Sequence, residues 1–428
     1  MIIVDKALEE RERQGNPIRV GLVGAGYMGR GITLDILTTV PGMRLVAIAN
    51  RTLSQAVRAY NEAGVDDVTT VDSVSALEDA ITRKRYAVTE DALLLCRAGN
   101  IDAIIDATGE IETGAQVSTA AIATGKHVTL MNAELDATIG PMLKVHADRA
   151  GVVLTYTDGD EPGVAMNLYR TVKMLGYRPV LMGQIKGFLN RYRNPETQQG
   201  FAAQHKQKPA MVASFADGSK LCLESTIMAN ATGFTVGKRG MLGPQCGHIK
   251  EMLTHFTAEQ LGNGWVDYAL GASDPGTGAF VIGYNDHPIK RQYMSYFKMG
   301  DGPLYLFYTP FHLPHLQLPL SVARAVLFHD ATLTPLGKPV CDTLAVAKKD
   351  LKAGEVLDGM GGFTCYGLID TYEVCQAANY LPMALTQDCR LKRDIPKDTP
   401  ISYADIDLPI GRLCDKLRAE QTAYFSKA

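Results

Sequence analysis

The sequence predicts an α/β protein with a doubly wound parallel sheet, an α+β domain and a small β-rich C-terminal domain. Residues 18–155 alternate short β-rich runs with stretches of helical periodicity, which favours right-handed crossovers and a parallel sheet covered on both faces. After residue 160 the runs are typical of a mixed or antiparallel sheet, and residues 340–410 show little helical pattern. The expected domains are 1–158, 159–335 and 336–428, with the chain returning to the first domain near 312–330.

The elements of the first domain follow from its apolar runs. We expect strands at 19–23, 45–50, 103–107, 127–130 and 152–156, with amphipathic helices such as 115–123 and 142–149 between them. Residues 65–91 do not fit this alternation and are interpreted as an insertion.

The second domain is expected to begin with a helix at 164–175 and a strand at 180–185. Further strands are predicted at 280–284 and 304–308, and the segment FHLPHLQLP precedes a long helix at 318–329. The segment PLGKPV is typical of a linker to the third domain.

Composition excludes several classes of function. A chain of 428 residues with a net charge of −3 has no basic cluster long enough to follow a nucleic-acid backbone. No stretch approaches the roughly 18 apolar residues of a membrane span, and the N-terminal residues lack the apolar core of a signal peptide. The eight cysteines form no CxxC pair, which indicates reduced thiols and a cytoplasmic protein.

The first candidate site is the glycine junction after the opening strand. Its spacing is GxGxxG, and its residues are Gly24, Gly26, Tyr27, Met28 and Gly29. In a strand-to-helix setting the first glycine makes the turn, the second admits a diphosphate and the third lets helix and strand pack closely. We therefore expect a Rossmann domain that binds a dinucleotide. The alternative is a turn without a ligand.

The end of the second strand decides which dinucleotide is bound. An acidic residue there would bind the ribose 2′-hydroxyl of NAD, but the sequence AIANRT places Asn50 and Arg51 at this position. Because an arginine can pair with a 2′-phosphate, we expect NADP(H). A solvated arginine is the alternative.

Two later strand ends should reach the same crevice, since ligands of open parallel sheets bind beyond the carboxyl ends of the strands. Thr108 and Gly109 follow one strand, and Asn132 and Glu134 follow the next. We expect these four residues to line the nicotinamide side.

With these motifs the chain resembles the homoserine dehydrogenase-like NAD(P)-dependent oxidoreductases. The resemblance lies in VGLVGAGYMGRG, in VTLMNAELD and in GQIKGFLNRYRNPET. The C-terminal part is similar to a SAF domain, through AVAKKDLKAGEVLDG, the pair Tyr366-Gly367 and LKRDIPKDTPI.

The chain departs from that family where Arg191, Tyr192 and Arg193 stand in place of Gly-Thr. Two added positive charges favour an anionic, phosphorylated substrate. The combination with a SAF-like domain resembles the second type of 1-deoxy-D-xylulose 5-phosphate reductoisomerase-like enzymes. This resemblance implies NADPH-dependent formation of 2-C-methyl-D-erythritol 4-phosphate in isoprenoid precursor synthesis.

Two other functions stay open. One is an NAD(P)-dependent dehydrogenase that acts on another small polyol, sugar acid or branched sugar without rearrangement. The other is a non-enzymatic regulator that binds a nucleotide or a carbohydrate.

The predicted chemistry needs a group that polarises a carbonyl, a proton shuttle and a phosphate clamp. Lys186, at a strand end, is the candidate for the first role, with a surface lysine as the alternative. Arg191 and Arg193 would share one side of an extended segment and hold the phosphate, with Asn190 orienting a hydroxyl group. A solvated charge run is the alternative.

The segment TDGDEPG places Asp158, Asp160 and Glu161 after the sixth strand. These carboxylates could hold Mg²⁺ or Mn²⁺, with Asp160 and Glu161 as catalytic candidates, or cap the following helix. His312 is a candidate for substrate binding and His315 for proton transfer, and both could equally be plain loop residues.

Three further expectations complete the prediction. Lys238 and Arg239, in GKRG, form a second candidate site for an anion. Lys348 and its charged neighbours are expected to form a mixed-charge surface on the SAF-like domain. That domain would cap the substrate domain or help to build a homodimer.

Overall fold

The computed structural model describes residues 3–426. Up to residue 159 the elements alternate, and they are α1 (Val4–Arg13), β1 (Ile18–Val23), α2 (Tyr27–Thr38), β2 (Met43–Ala49), α3 (Leu53–Glu62), β3 (Val68–Thr70), α4 (Val74–Thr82), β4 (Tyr86–Thr89), α5 (Ala92–Arg97), β5 (Ala103–Asp106), α6 (Ile111–Ala123), β6 (His127–Leu130), α7 (Ala133–Ala150) and β7 (Leu154–Tyr156).

The next elements are α8 (Glu161–Met174), β8 (Arg178–Lys186), α9 (Gln199–Gln204), α10 (Pro209–Ala216), α11 (Ser219–Thr232), α12 (Met252–His255), α13 (Ala258–Leu261), β9 (Trp265–Leu270), β10 (Ala279–Tyr284), α14 (Pro288–Tyr296) and β11 (Leu304–Thr309). The last are α15 (Pro314–Phe328), β12 (Cys341–Ala347), β13 (Cys365–Thr371), α16 (Tyr372–Ala377), β14 (Arg390–Leu391), β15 (Ile406–Asp407) and α17 (Leu413–Phe425). Short 3₁₀ turns lie at Ile249–Glu251, Met383–Leu385 and Tyr403–Asp405.

The chain folds into two compact units. The first unit contains the residues up to 159, residues 313–334 and the residues from 413 onward, and the second unit contains 160–312 and 335–412. The expected third domain, 336–428, is therefore divided in the structure: its larger part belongs to the second unit and its final helix to the first.

The first unit is built on a seven-stranded sheet in the order β3-β4-β2-β1-β5-β6-β7. All of its strand pairs are parallel. The predicted fold class, a doubly wound parallel sheet, is confirmed. The interpretation of residues 65–91 as an insertion is wrong, because they supply β3, α4 and β4, which extend the same sheet beyond β2.

A buried side chain explains why α17 belongs to the first unit. Gln421 Oε1 accepts a hydrogen bond from Met142 N, 3.1 Å away, and Gln421 Nε2 donates to Thr138 O, also at 3.1 Å. The amide thus inserts into the backbone ladder of α7 beside Pro141, where the helix has polar groups to satisfy. Glu112 accepts from the first N–H groups of α17.

The second unit holds a four-stranded mixed sheet in the order β11-β10-β8-β9. Strand β10 is antiparallel to β8 and β11, whereas β8 and β9 are parallel. Helix α8 packs on β8 and β10, and α11 contacts both β8 and the antiparallel pair β12–β13. The carboxyl end of β8 and the first turns of α8 and α11 position the charged residues described below.

Two predicted helices begin earlier than expected. Helix α8 begins at Glu161 rather than at residue 164, and α15 begins at Pro314 rather than at residue 318. Both carry a proline in the first turn, where its missing N–H costs no hydrogen bond. Within the described part of the chain, no helix is long and apolar enough to cross a membrane.

Candidate functional site

The glycine junction has the geometry that its spacing predicts. Gly24 has a φ of 103°, and a Cβ there would lie 2.7 Å from the carbonyl oxygen of Ala107. A Cβ on Gly29 would overlap the carbonyl oxygen of Gly24. Only glycine therefore permits the turn after β1 and the close approach of α2 to it.

Gly26 differs from its two neighbours in the motif. A Cβ there would meet no heavy atom within 4 Å, and its φ of −73° is open to any residue. The space beside Gly26 faces the start of α2, whose first N–H groups have no partner within the helix and no side-chain cap. Open space and free N–H groups at a helix N-terminus fit a diphosphate.

Asn50 supports this loop instead of facing away from it. Its Oδ1 accepts a hydrogen bond from Ala25 N at 3.0 Å, and its Nδ2 donates to Thr52 O at 2.9 Å. The neighbouring Arg51 is exposed, and no carboxylate among residues 3–426 forms an ion pair with it. Arg51 thus directly follows the residue that contacts the glycine loop, and its exposed side chain is available to an anion.

Two of the predicted nicotinamide-side residues, Thr108 and Asn132, form hydrogen bonds to Asp106, at the end of β5. The carboxylate accepts from the Thr108 hydroxyl at 2.6 Å and from Asn132 Nδ2 at 2.9 Å. Burial raises the pKa of Asp106, and the hydrogen bonds from Thr108 and Asn132 oppose that rise. Gly109 has a φ of 61° and Glu134 is buried. Contact of these residues with a cofactor stays a prediction.

His315 lies in the first unit, where it packs against Gly31 of α2. A Cβ on Gly31 would be 2.5 Å from His315 Cδ2. Burial lowers the pKa of His315, and its Nδ1 is buried without a hydrogen-bond partner in the part of the chain that the structure describes. The neutral imidazole is thus packed on the helix that follows the glycine loop.

The second unit brings together six charged or titratable side chains, which we call the charged cluster. They are Asp160, Glu161, Lys186, Lys220, Glu224 and His312. Asp160 and Glu161 stand at the start of α8, and Lys186 is the last residue of β8. Lys220 and Glu224 lie one turn apart on α11.

Lys186 is at the centre of the charged cluster. Its Nζ donates to Glu161 Oε1 at 2.7 Å and lies 3.9 Å from Glu224 Oε2. Lys220 Nζ is 3.1 Å from Glu224 Oε1 and 3.9 Å from Asp160 Oδ2.

His312 completes the group from the other side of Glu161. Its Nε2 lies 3.6 Å from Glu161 Oε1, and its Nδ1 is 3.1 Å from the Thr277 hydroxyl. If that hydroxyl donates to Nδ1, the proton of the neutral ring is on Nε2 and faces the carboxylate.

The pKa values of the two glutamates in the cluster are shifted in opposite directions. Burial raises the pKa of Glu161, but the Lys186 ammonium and His312 more than offset this and hold it well below its usual range. Burial, reinforced by the Glu161 charge, raises the pKa of Glu224 to about 8. Burial lowers the pKa of Lys186, but Glu161 and Glu224 reverse the effect and raise it. At neutral pH Glu161 is therefore ionised, Glu224 is a neutral acid and Lys186 is an ammonium ion.

The alternative interpretation, an N-cap and a first-turn acid, agrees with the positions of Asp160 and Glu161 in α8. Asp160 is at the N-cap position, but its side chain makes no capping hydrogen bond. Asp158 is held in the first unit, where its backbone N–H donates to Ser321 Oγ at 2.7 Å and Arg324 lies 3.6 Å from its carboxylate.

Three carboxylates of the charged cluster lie close enough together to be considered as metal ligands. Ligand atoms of Asp160, Glu161 and Glu224 lie within 4.8 Å of one another. Lys186 and Lys220 lie among these carboxylates, with Lys186 Nζ 2.7 Å from Glu161 Oε1 and Lys220 Nζ 3.1 Å from Glu224 Oε1. A divalent ion would have to displace an ammonium group, so the cluster as described does not fit resident Mg²⁺ or Mn²⁺.

The expected phosphate clamp has a different geometry. Residues 190–193 are not extended, because Asn190 closes a turn: its Oδ1 accepts from Tyr192 N, and its carbonyl accepts from Arg193 N, both at 3.1 Å. The Arg191 guanidinium lies 5.8 Å from the Tyr366 ring centroid, and that of Arg193 lies 5.2 Å from the Phe188 ring. The premise that both arginines share one side of an extended segment is wrong.

The second predicted anion site also has other partners. Arg239 Nε donates to Asp370 Oδ2 at 2.7 Å, and its guanidinium lies 5.1 Å from the Tyr380 ring. Lys238 is exposed. Arg239 therefore joins the loop to β13 and to the segment that follows α16.

Sequence reasoning missed Lys220, Glu224 and Thr277. A signal was present for the first two, since α11 reads SKLCLESTIMANAT and almost all of it is buried. A lysine and a glutamate one turn apart in an otherwise apolar or small-residue helix indicate buried charges that must find partners. Thr277 stands in a loop, and nothing in the sequence singles it out.

Comparison with known proteins bears on this part of the chain. Residues 159–318 match the family model described as "Oxidoreductase DRL, catalytic domain". The match contains the whole charged cluster. This match agrees with the enzyme class expected from the sequence at the level of an oxidoreductase. No curated protein matches the chain.

Several solved structures are similar to parts of the chain. A homoserine dehydrogenase from Thiobacillus denitrificans is 17% identical, with 90% of this chain and 97% of that one covered and a TM-score of 0.47. An apo scyllo-inositol dehydrogenase from Lactobacillus casei is 13% identical, with 74% and 89% covered and a TM-score of 0.43.

An NAD binding oxidoreductase from Klebsiella pneumoniae is 19% identical with a TM-score of 0.29. The match covers 41% of this chain and 43% of the length of that one. At such identities and TM-scores these likenesses carry no conclusion about substrate or cofactor. The assignment of the fold rests on the sheet itself.

Proposed function

We propose that this chain is an NADPH-dependent oxidoreductase that acts on a small anionic hydroxyketone, with Lys186 and its carboxyl partners handling the protons. The favoured reaction is the reductive isomerisation of 1-deoxy-D-xylulose 5-phosphate to 2-C-methyl-D-erythritol 4-phosphate. The observation that carries the proposal is the Lys186–Glu161–Glu224 group, in which a carboxylate from α8 and a neutral acid from α11 meet the ammonium ion at the end of β8.

The residues that would hold the cofactor are those of the glycine junction and Arg51. The open space at Gly26 and the free N–H groups of α2 suit a diphosphate, and the exposed guanidinium suits a 2′-phosphate. When bound, NADPH supplies a hydride to a carbonyl carbon.

The side chains of the charged cluster suit the proton transfers of such a reaction. Lys186 is a half-buried cation, with its side chain 21% exposed, that can polarise a carbonyl oxygen and donate a proton to it. Glu161 is ionised and can accept a hydrogen bond from a substrate hydroxyl, and His312, 3.6 Å away on its other side, can take the proton. Glu224, which is protonated at neutral pH, can return a proton to Lys186.

The rearrangement is supported by the presence of both an acid and a base at one site. Moving the carbon skeleton of an α-hydroxyketone requires a hydroxyl group to lose a proton and a carbonyl oxygen to be stabilised, and the net change is an isomerisation. The aldehyde formed then gains one hydride and one proton to become an alcohol. A reduction without rearrangement needs only the second of these steps.

One observation favours the alternative, a dehydrogenase of another small polyol, sugar acid or branched sugar. Arg191 and Arg193 lie over different aromatic rings, so the paired clamp that would select a phosphorylated substrate has no geometric support. Assembly as a homodimer and a cytoplasmic location stay predictions.

The test is NADPH oxidation with 1-deoxy-D-xylulose 5-phosphate, with and without Mg²⁺, together with identification of the product. We expect 2-C-methyl-D-erythritol 4-phosphate and rates that do not depend on Mg²⁺. A strict Mg²⁺ requirement would mean that the ion replaces an ammonium group in the cluster.

A panel of unphosphorylated polyols, sugar acids and branched sugars, assayed with NADP⁺, separates the two candidate functions. Turnover of a panel member without turnover of the ketose phosphate would select the dehydrogenase. No turnover of any substrate, despite tight cofactor binding, would refute both.

A further inference from the structure

The C-terminal part of the second unit contains a buried lysine, and every N–H donor of its ammonium group has an acceptor. Lys348 follows β12 directly, and its side chain is 4% exposed. Its Nζ lies 2.8 Å from Arg193 O, 2.8 Å from Asp217 Oδ2 and 2.7 Å from Gly362 O. An ammonium group has three N–H donors, and each of them has an acceptor here. The expected surface position of Lys348 is wrong.

The three acceptors belong to different segments. Arg193 lies in the turn that follows β8, Asp217 lies just before α11, and Gly362 lies in the loop between β12 and β13. Each segment is otherwise an irregular connection. Lys348 therefore fixes their relative positions by a single group.

Asp217 connects Lys348 to the start of α11. Its second carboxylate oxygen, Oδ1, accepts a hydrogen bond from Ser219 N at 2.8 Å. The carboxylate thus satisfies an N–H group at the very start of the helix. Lys220, the next residue, belongs to the charged cluster, and Glu224 follows one turn later.

Further polar contacts join α11 to the same C-terminal segment. Ser219 Oγ accepts from Gly367 N at 2.8 Å, and the hydroxyl groups of Thr226 and Thr343 are 2.8 Å apart. At the far end, Asn230 Oδ1 accepts from Val340 N at 2.7 Å. Helix α11 is thus attached to β12 and β13 from its first turn to its last, and Lys348 holds the end that carries the cluster.

We propose that Lys348 is a positioning residue for the reaction, which sets the place of Lys220 and Glu224 through Asp217 and the first turn of α11. The proposal rests on the proposed function, because it assumes that the charged cluster performs the proton transfers. It gives the C-terminal segment a part in the active site without any contact between Lys348 and the substrate.

The consequence for the chemistry concerns Glu224. The raised pKa of Glu224 depends on burial and on the distances of its carboxyl group from Glu161 and Lys220. A shift of the first turn of α11 changes both distances. The pH dependence of the rate should therefore respond to Lys348, although a role limited to folding would leave it unchanged.

The experiment compares Lys348→Gln with Lys352→Gln. Lys352 is in the same segment, but it is 75% exposed and pairs with Asp394 on the surface. For Lys348→Gln we expect kcat with the ketose phosphate to fall by about tenfold or more, because small displacements of catalytic groups are costly. The KM for NADPH should stay within about twofold, and the basic limb of the pH–rate profile should move by about half a unit or more. Lys352→Gln should match the wild type.

A second measurement does not depend on the substrate. Hydrogen exchange followed by mass spectrometry should show faster exchange at residues 190–193 and 217–224 in Lys348→Gln, with α8 unchanged as an internal control. If this change occurs but no substrate is turned over, the proposed function fails and the positioning of α11 by Lys348 stands.

Unchanged exchange in α11, or an unchanged pH profile in an active Lys348→Gln protein, would overturn the proposal. If Lys348→Gln does not fold, Asp217→Asn replaces it, since it keeps an acceptor of the same shape and removes only the charge. The same shifts in exchange and in pH profile are then expected, and their absence would equally overturn the proposal.

Discussion

Replacing Glu224 with glutamine tests the electrostatics of the charged cluster without any knowledge of the substrate. Glu224 is buried, and its pKa is raised to about 8 by burial and by the charge of Glu161. Glutamine has the shape of the protonated side chain, and its amide oxygen can still accept from Lys220, whose Nζ lies 3.1 Å from Glu224 Oε1. The substitution therefore removes the ability to ionise and little else.

The size of the effect follows from the difference in acidity between the folded and unfolded chains. In the unfolded chain this carboxyl ionises near its ordinary value of 4.5, whereas in the folded protein it ionises near pH 8. The unfolded state thus loses its proton first as the pH rises, and the folded wild-type protein loses stability between these values. From pH 5 to pH 8 the loss amounts to about 4 kcal/mol.

Glu161 does not cancel this effect. Because its pKa in the folded protein lies below the ordinary value, its stabilising contribution is complete above pH 4.5 and is lost only as the pH falls below that value. It is therefore constant across the window in which Glu224 acts.

The assay is urea unfolding of the wild type and Glu224→Gln at pH 5, 6.5 and 8. The free energies of unfolding should be similar at pH 5, and Glu224→Gln should become the more stable protein by several kcal/mol at pH 8. Glu259→Gln, at an exposed position of α13, serves as the control and should track the wild type. A difference between the wild type and Glu224→Gln that does not change with pH would refute the assigned protonation states.

Two further predictions concern the cofactor domain. Arg51→Asp should shift the ratio of affinities from NADPH toward NADH by about tenfold or more, and an unchanged ratio in titrations of both cofactors would place the 2′-phosphate elsewhere. Gly29→Ala and Gly26→Ala form a matched pair: the first introduces a Cβ that overlaps the carbonyl oxygen of Gly24 and should lower the free energy of unfolding by roughly 1–3 kcal/mol or more. Gly26→Ala should leave stability within about 0.5 kcal/mol and weaken NADPH binding, and equal effects of the two substitutions would contradict the assigned roles.

The glycine junction was predictable because its determinants are local. A strand, a tight turn and a helix follow one another within a dozen residues, and the spacing places Gly24 and Gly29 where a side chain would clash. The strand-end position of Lys186 was predictable for the same reason. The strand order of the sheet was harder to predict, because residues 65–91 supply an edge strand, β3, that is only three residues long.

The charged cluster could be predicted only in part. Its members come from α8, β8, α11 and the loop after β11, and no periodicity relates segments that are so far apart in the chain. Asp160, Glu161, Lys186 and His312 were each identified, yet their grouping around one ammonium ion depends on tertiary packing. Lys220 and Glu224 were missed because the helix that carries them was not recognised.

Two errors have a common physical origin, which is side-chain hydrogen bonding to the backbone. Asn190 folds residues 190–193 into a turn by accepting from Tyr192 N, a local bond that competes with extended structure. Lys348 is buried because three backbone and side-chain oxygens surround its ammonium group. A charged residue in a mixed-charge run gives no sign of such acceptors.

The central claim is that Lys186 transfers protons in an NADPH-dependent reduction, and Lys186→Met tests it most directly. Steady-state NADPH oxidation with the ketose phosphate and fluorescence titration of NADPH binding are measured on the same variant. The account predicts that the dissociation constant for NADPH stays within about twofold, while kcat falls by roughly 10² to 10⁴. Retention of the wild-type kcat in a folded Lys186→Met protein would contradict it.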